Sequence, residues 1–289
     1  MFTSDHYELI DFGAGRRLER FAGWTLDRPC PTAEKSQPML PESWKSVDAY
    51  FERTEEKPDG DGWTLYSHMP EQWTIDYGPF QMELQRSPFG HLGVFPEQTS
   101  NWDWIAEQVA AASGPLKILN LFAYTGGSTL AAAAAGVSAN FEVEVVHVDS
   151  AANTVARGKR NAEFSGLATA PIRWITEDAT KFVRRELKRG NGYDAIILDP
   201  PSYGHGRRGE VWRATKHLPQ LLRMCAELTA DRRHFLLLTC HTPGLNEKRL
   251  STMLRNAIDD RSAKITAGPL KIEACSGQTL SSGVFVRLF

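Results

Sequence analysis

Three aspartates stand where chemistry is easiest to build. Asp149 closes the apolar run Val143–Val148, Asp178 follows Ile172–Ile175, and Asp199 closes Tyr193–Leu198 and opens Asp-Pro-Pro-Ser-Tyr203. A carboxylate at a strand tip is acceptor-only when ionised, so each can take hydrogen bonds from ligand hydroxyls or amines. Pro200 and Pro201 hold the backbone extended and remove two amide donors. That leaves carbonyls and the Asp199 carboxylate to meet the edge of a planar substrate, on which Tyr203 could stack. Each aspartate also has a plain structural reading. Asp149 would cap a helix from Ala151, Asp178 would cap the helix that follows it, and Asp-Pro-Pro would be a rigid strand exit.

A fourth element gives these side chains a common destination. Leu116–Leu121 reads as a buried strand, Gly126-Gly127 as a turn, and Ser128–Ala135 as a helix of high propensity. In a strand–turn–helix unit the first helical amides point outward, and a ligand sits beyond the carboxyl end of the strand. Asp149 lies 22 residues after Gly127, close to the roughly 20-residue offset of a ribose-binding acid. The turn does not spell G-x-G-x-x-G, since Asn120, Ala123 and Tyr124 occupy the earlier positions. It is a poor cradle for pyrophosphate, which disfavours a dehydrogenase, but it suits a nucleoside without phosphates, such as S-adenosylmethionine.

Taken together, Asn120-Leu-Phe-Ala-Tyr-Thr-Gly-Gly127, Asp149, Asp178 and Leu198-Asp-Pro-Pro-Ser-Tyr203 resemble the class I S-adenosylmethionine-dependent methyltransferases. Within that class the stretch from roughly residue 90 to 245 is similar to the bacterial ribosomal RNA large-subunit methyltransferases of the cytosine-C5 type. The resemblance implies S-adenosylmethionine as cofactor, held by Gln98, Asn120, Phe122, Ala123, Tyr124, Thr125, Gly126, Asp149, Ser150, Glu177, Asp178, Ala179 and Asp199. In the family the segment before the first helix lines the cofactor pocket. That makes Phe95, Glu97 and Gln98 candidates, although the segment reads equally as a connector.

The resemblance further implies a base in RNA as substrate, with Asp199, Pro200, Pro201 and Cys240 catalytic and Tyr203, Arg207 and Arg208 meeting the substrate. Cytosine C5 is a weak nucleophile. A thiolate adding to C6 makes C5 enamine-like, and Cys240, at the end of Phe235–Cys240, would supply it. The alternative is a small buried hydrophobe, the usual state of a free cysteine. Ser202 separates the prolines from Tyr203, an arrangement that counts against exocyclic-amine chemistry. Two other functions stay open: a methyltransferase of a protein or small molecule, and a nucleoside-binding module without catalysis.

The elements that must position these residues alternate. Strands ending near Ala123, Asp149, Thr176, Asp199 and Cys240 are separated by helices near 127–135, 151–165, 178–189, 211–229 and 246–258. That pattern predicts an α/β fold of Rossmann-like methyltransferase type, with a mostly parallel seven-stranded sheet closed by strands at 264–274 and 283–289. Residues 1–98 predict a separate small β-rich domain and 99–289 the methyltransferase domain. In the former, Trp73–Tyr77 and Phe80–Leu84 form a hairpin about Gly78-Pro79, and 29–43 is loose.

Composition sets the bounds. Hydrophobic residues make up 42% and charged ones 24%, as in ordinary globular chains, and the net charge of −2 gives no global field for nucleic acid. Basic residues concentrate instead at Lys181–Arg189, a helix face, and at Arg207–Lys216 just after Asp-Pro-Pro, where a polyanion would enter. Cys30, Cys225, Cys240 and Cys275 form no C-x-x-C pair, so neither a disulfide framework nor a metal site is expected. With no signal-like or membrane-length apolar stretch, a cytoplasmic protein without a membrane partner is expected.

Overall fold

The computed structural model describes residues 2–52, 62–205, 211–258, 260 and 262–289. The chain forms two compact units: residues 1–100 with 271–282, and residues 101–270 with 283–289.

The first unit is built on a five-stranded sheet of β1 (Tyr7–Gly13), β2 (Arg16–Phe21), β3 (Trp24–Pro29), β4 (Ala49–Phe51) and β5 (Trp63–Leu65), in that order. β1, β2 and β3 are an antiparallel meander. A hairpin of β6 (Gln72–Asp76) and β7 (Gln81–Gln85) follows, in the register Ile75↔Met82. The expected loose stretch contains two 3-10 turns, Pro31–Ala33 and Pro41–Lys45. Ions lie inside this sheet: Glu19 is fully buried, bonded by the Arg28 guanidinium and by the Tyr7 hydroxyl at 3.1 Å. Buried charge is tolerated only when paired and hydrogen-bonded in this way.

The second unit is the expected layered α/β fold. Its strands are β8 (Leu116–Leu121), β9 (Val143–Asp149), β10 (Ile172–Thr176), β11 (Ala195–Leu198), β14 (Phe235–Cys240), β15 (Ile265–Glu273) and β16 (Thr279–Leu288). Between β11 and β14 lies a two-stranded ribbon, β12 (Tyr203–His205) with β13 (Val211–Arg213). The seven strands run in the order β10-β9-β8-β11-β14-β16-β15. The pairs from β10 to β14 are parallel, and β16 returns antiparallel to β14. The helices are α1 (Thr99–Ala111), α2 (Gly127–Val137), α3 (Ala152–Phe164), α4 (Ala179–Lys188), α5 (Ala214–Leu228) and α6 (Glu247–Ala257).

The strand order reverses between β8 and β11, so the crevice beyond their carboxyl ends is the topological switch point where open α/β sheets bind ligands. β11 and β14 are buried at every position, as strands covered on both faces must be. One face carries Leu119, Leu121, Val146, Val148, Ile196, Leu198, Leu236, Leu238 and Cys240 against α4, α5 and α6. Sequence expectation and structure differ at 211–213, which form β13 of the ribbon rather than the start of α5. Val-Trp-Arg has β-branched and aromatic side chains suited to a ribbon, and pairing with Tyr203–His205 decides it. Among the described residues no helix is long and apolar enough to cross a membrane.

Candidate active site

The turn between β8 and α2 is strained and held from below. Phe122, Tyr124 and Gly126 have φ of 56°, 50° and 95°. Only glycine takes the left-handed region without penalty; the two aromatics cost on the order of 1–2 kcal/mol each. Such a bend persists where its surroundings over-determine it. Here Asp149 Oδ2 accepts the Tyr124 amide at 2.9 Å, and Asn161 Nδ2 donates to the Thr125 carbonyl at 2.9 Å. The Ala123 amide donates to the Val148 carbonyl at 3.1 Å.

Beneath the bend runs a buried polar chain. Asn120 Nδ2 donates to Thr129 Oγ1 at 2.9 Å, and Thr129 Oγ1 lies 2.9 Å from His147 Nδ1. A hydroxyl donates one hydrogen bond and accepts up to two, so the Thr129–His147 contact fits either imidazole tautomer. Burial pushes the His147 pKa down to about 3, and the nearby Tyr124 backbone offsets only part of this. Asn120, Ala123 and Thr125 are themselves buried, at 3%, 7% and 2% exposure. They shape the turn from behind.

The depressed His147 pKa fixes a pH dependence. The folded state keeps His147 neutral, whereas the unfolded chain protonates it below roughly pH 6.5. The unfolded state therefore binds more protons, and stability falls as the pH drops from about 6.5 toward 3. At 1.36 kcal/mol per unit, about 2 kcal/mol is lost between pH 6.5 and 5. Urea titrations at pH 7 and 5 should show this loss in the wild type and a flatter profile in His147→Gln. Asp149, whose pKa is raised by burial against the pull of three backbone amides, acts with the opposite sign but is common to both proteins. Parallel profiles would refute the assignment.

The acidic residues separate by role. Asp149 does not cap α3, whose N-cap is Ala151. Its two oxygens accept the Tyr124 and Ala151 amides, both at 2.9 Å. Those bonds leave lone pairs on each oxygen for further donors. Asp178 does cap α4, accepting the Lys181 amide at 2.9 Å, and Glu177 pairs with Arg185. Ala179 is buried at the first turn of α4.

Asp199 leaves the tip of β11 into a loop that is already partly bonded. Trp212 Nε1 donates to the Pro201 carbonyl at 2.7 Å, and the Ala214 amide to the Ser202 carbonyl at 3.1 Å. One acceptor site on each of the Pro201 and Ser202 carbonyls is thus taken within the protein, and each oxygen keeps a second lone pair. Thr242 Oγ1 donates to Ser202 Oγ at 3.0 Å, tying the loop to the end of β14. The Trp212 ring also lies 5.2 Å from Phe122, so the ribbon rests on the glycine turn. Tyr203 is half exposed, with the Arg213 guanidinium 5.9 Å from its ring centroid.

Cys240 lies on a different face of the sheet from Asp199. β11 and β14 pair Leu198 with Leu238 and Ile197 with Leu237. Side chains alternate along a strand, so Cys240 shares the face of Leu198 and Leu238, and Asp199 continues the face of Ile197. The thiol is 1% exposed, packed in the apolar layer under α5 and α6, with the Thr242 amide 3.5 Å from Sγ. Its surroundings are those of a small core hydrophobe. The next residue, His241, takes the opposite direction, with Nε2 3.7 Å from Asp199 Oδ1.

A cleft of about 510 Å³ gathers much of the expected set. Phe122, Ser150, Glu177, Asp178 and Pro201 line it, together with Lys181, Arg184 and Trp212, which spacing alone did not assign to a ligand site. Gln98 is buried in the first unit, where its amide donates to the Phe95 carbonyl at 3.0 Å. Arg207 and Arg208 lie outside the described residues. Trp212 was hidden because it sits on a ribbon read as helix. His241 was within reach of counting: two residues beyond Thr239, it shares that residue's face.

The donor set suits an adenosine group. Asp149 meets only amide N–H groups among its described partners and keeps acceptor capacity for ribose hydroxyls, and Phe122 gives the cleft an aromatic wall. With fold and site in this arrangement, the chain belongs to the S-adenosylmethionine-dependent methyltransferases: the family model of that description matches residues 50–246. Its cofactor is S-adenosylmethionine. It is similar to a SAM-dependent methyltransferase from Agrobacterium tumefaciens, 36% identical, with a TM-score of 0.88 over 98% of this chain and 89% of that one. It is also similar to ribosomal RNA large subunit methyltransferase I of Aeromonas hydrophila, 31% identical over 46% of this chain. The protein of the same name from Aeromonas salmonicida is 28% identical over 56%. The matched segments span 32% and 38% of those two curated relatives.

Proposed function

We propose that this protein transfers the methyl group of S-adenosylmethionine to a base in RNA. The observation that carries the reading is the cleft at the switch point. In it the aromatic and acidic residues suited to an adenosyl group adjoin the Asp-Pro-Pro loop and two cations, Lys181 and Arg184. S-adenosylmethionine supplies an electrophilic sulfonium methyl. Asp149 takes the ribose hydroxyls, the Phe122–Gly126 bend carries the rest of the nucleoside, and Asp178 accepts from the adenine amine. Asp199 holds the edge of the target base and Tyr203 stacks on it. Lys181 and Arg184 meet backbone phosphates, the contacts that dominate affinity for nucleic acids. The similarity to ribosomal RNA methyltransferases supports RNA over protein. Four free thiols, one of them exposed, suit a reducing cytoplasm.

Much of the catalysis is orientation: holding two reactants in line supplies roughly 7–11 kcal/mol. The test incubates the protein with S-adenosylmethionine tritiated at the methyl group and total RNA and protein from cells lacking it. Label in a single RNA nucleoside is the expected result, and label confined to protein would overturn the RNA reading. Because Cys240 faces away from Asp199, Cys240→Ala should retain labelling, which moves the methylated atom away from cytosine C5. Loss of labelling with intact cofactor binding would restore the thiol-adduct mechanism.

A further inference from the structure

We propose that His241 is the group that takes the proton released by the methyl acceptor, working against Asp199. The inference rests on the methyl-transfer reading above.

Two strand tips create the pair. Asp199 follows β11 and His241 follows β14, adjacent parallel strands in the sheet. His241 Nε2 lies 3.7 Å from Asp199 Oδ1, and both side chains are about one-third exposed, at 36% and 32%. The imidazole keeps this position because β16 offers no side chain there. A Cβ on Gly283, whose φ is 126°, would fall 2.7 Å from His241 Nδ1 and 3.0 Å from the Cys240 carbonyl oxygen. No rotamer change of a neighbour removes a clash with a backbone carbonyl, so glycine at 283 leaves the space that His241 fills. Asp199 thus faces Nε2, and the backbone at Gly283 lies close to Nδ1.

A carboxylate beside an imidazole stabilises the imidazolium that forms when the ring takes a proton. In the proposed step the acceptor atom, a base nitrogen bearing hydrogen, uses its electron pair to bond to the methyl carbon. The sulfur–methyl bond breaks, and its pair stays on sulfur as the neutral thioether. The proton lost by the acceptor moves to His241 Nε2 and then to water. Asp199 keeps its charge throughout. Cys240, on the other face of the sheet, has no part in it.

The test uses His241→Ala in the full-length chain, with single-turnover transfer of tritiated methyl to total RNA and protein from cells lacking the protein. The variant should bind S-adenosylhomocysteine with wild-type affinity and transfer methyl about 10²-fold more slowly or worse, the usual contribution of a positioned proton acceptor. Added free imidazole should restore part of the rate in His241→Ala and leave the wild type unchanged. A merely structural role would not give that rescue. A wild-type rate in the variant, or a loss that imidazole does not relieve, overturns the proposal. Label in protein instead of RNA would sink the RNA reading while the rate comparison still judges His241. A wild type that labels nothing sinks both.

Discussion

Replacing Asp149 by alanine should leave a folded protein with no calorimetrically measurable affinity for S-adenosylhomocysteine. The carboxylate has two duties. As proposed ligand group it takes the ribose hydroxyls, and hydrogen bonds to a charged acceptor contribute about 1.5–3 kcal/mol each. Two of them amount to about 3–6 kcal/mol, or roughly 10²–10⁴-fold in affinity. As a structural group it accepts the Tyr124 and Ala151 amides, one on each oxygen. Removing it frees a bend that already holds two non-glycine residues at positive φ, so preorganisation is lost along with the contact. Circular dichroism and urea melting separate the two duties: the fold should survive while binding disappears. Near wild-type affinity in Asp149→Ala would remove the ribose assignment.

The second large effect is expected at Asp199. Asp199→Ala should lower methyl transfer by about 10²–10³-fold, the range seen when one preorganised polar group is withdrawn from a reacting centre. Asp199→Asn keeps an acceptor oxygen and loses the charge. It should fall between alanine and wild type if the side chain chiefly holds the base, and match alanine if the charge facing His241 matters more. Label transfer under single turnover reads both variants. An Asp199→Ala enzyme at full rate would dissociate the Asp-Pro-Pro loop from the chemistry.

The layered unit was legible because its strands are continuous apolar runs and its helices begin at turn residues. β9 ends at Asp149 and β11 at Leu198, as the alternation of apolar segments requires. The first unit was harder. β2 reads Arg-Arg-Leu-Glu-Arg-Phe, which hides a strand, because Glu19 is buried by pairing with Arg28 from the next strand. A pairing between strands is absent from any local window of sequence. The site was readable as chemistry and less so as geometry. Asp149, Asp178 and Phe122 could be placed from the strand ends, whereas Asn120 is spent on Thr129, and Cys240 lies a half-period out of phase with Asp199. Trp212 depended on a two-stranded ribbon whose pairing no periodicity announced.

Residues 271–282 have a practical corollary for anyone dividing this polypeptide. They comprise the end of β15, the start of β16 and the turn between them, and they group with the first unit, where the Cys275 amide donates to the Leu9 carbonyl at 2.8 Å and Ala274 bridges to Leu9. The backbone therefore passes between the units three times, near 100, 270 and 282. A gene cut at one codon near position 100 would strip the amino-terminal half of its last segment and leave the carboxyl-terminal half trailing an orphaned loop. Swapping or isolating either part calls for two splice points and a short replacement bridge from 270 to 283.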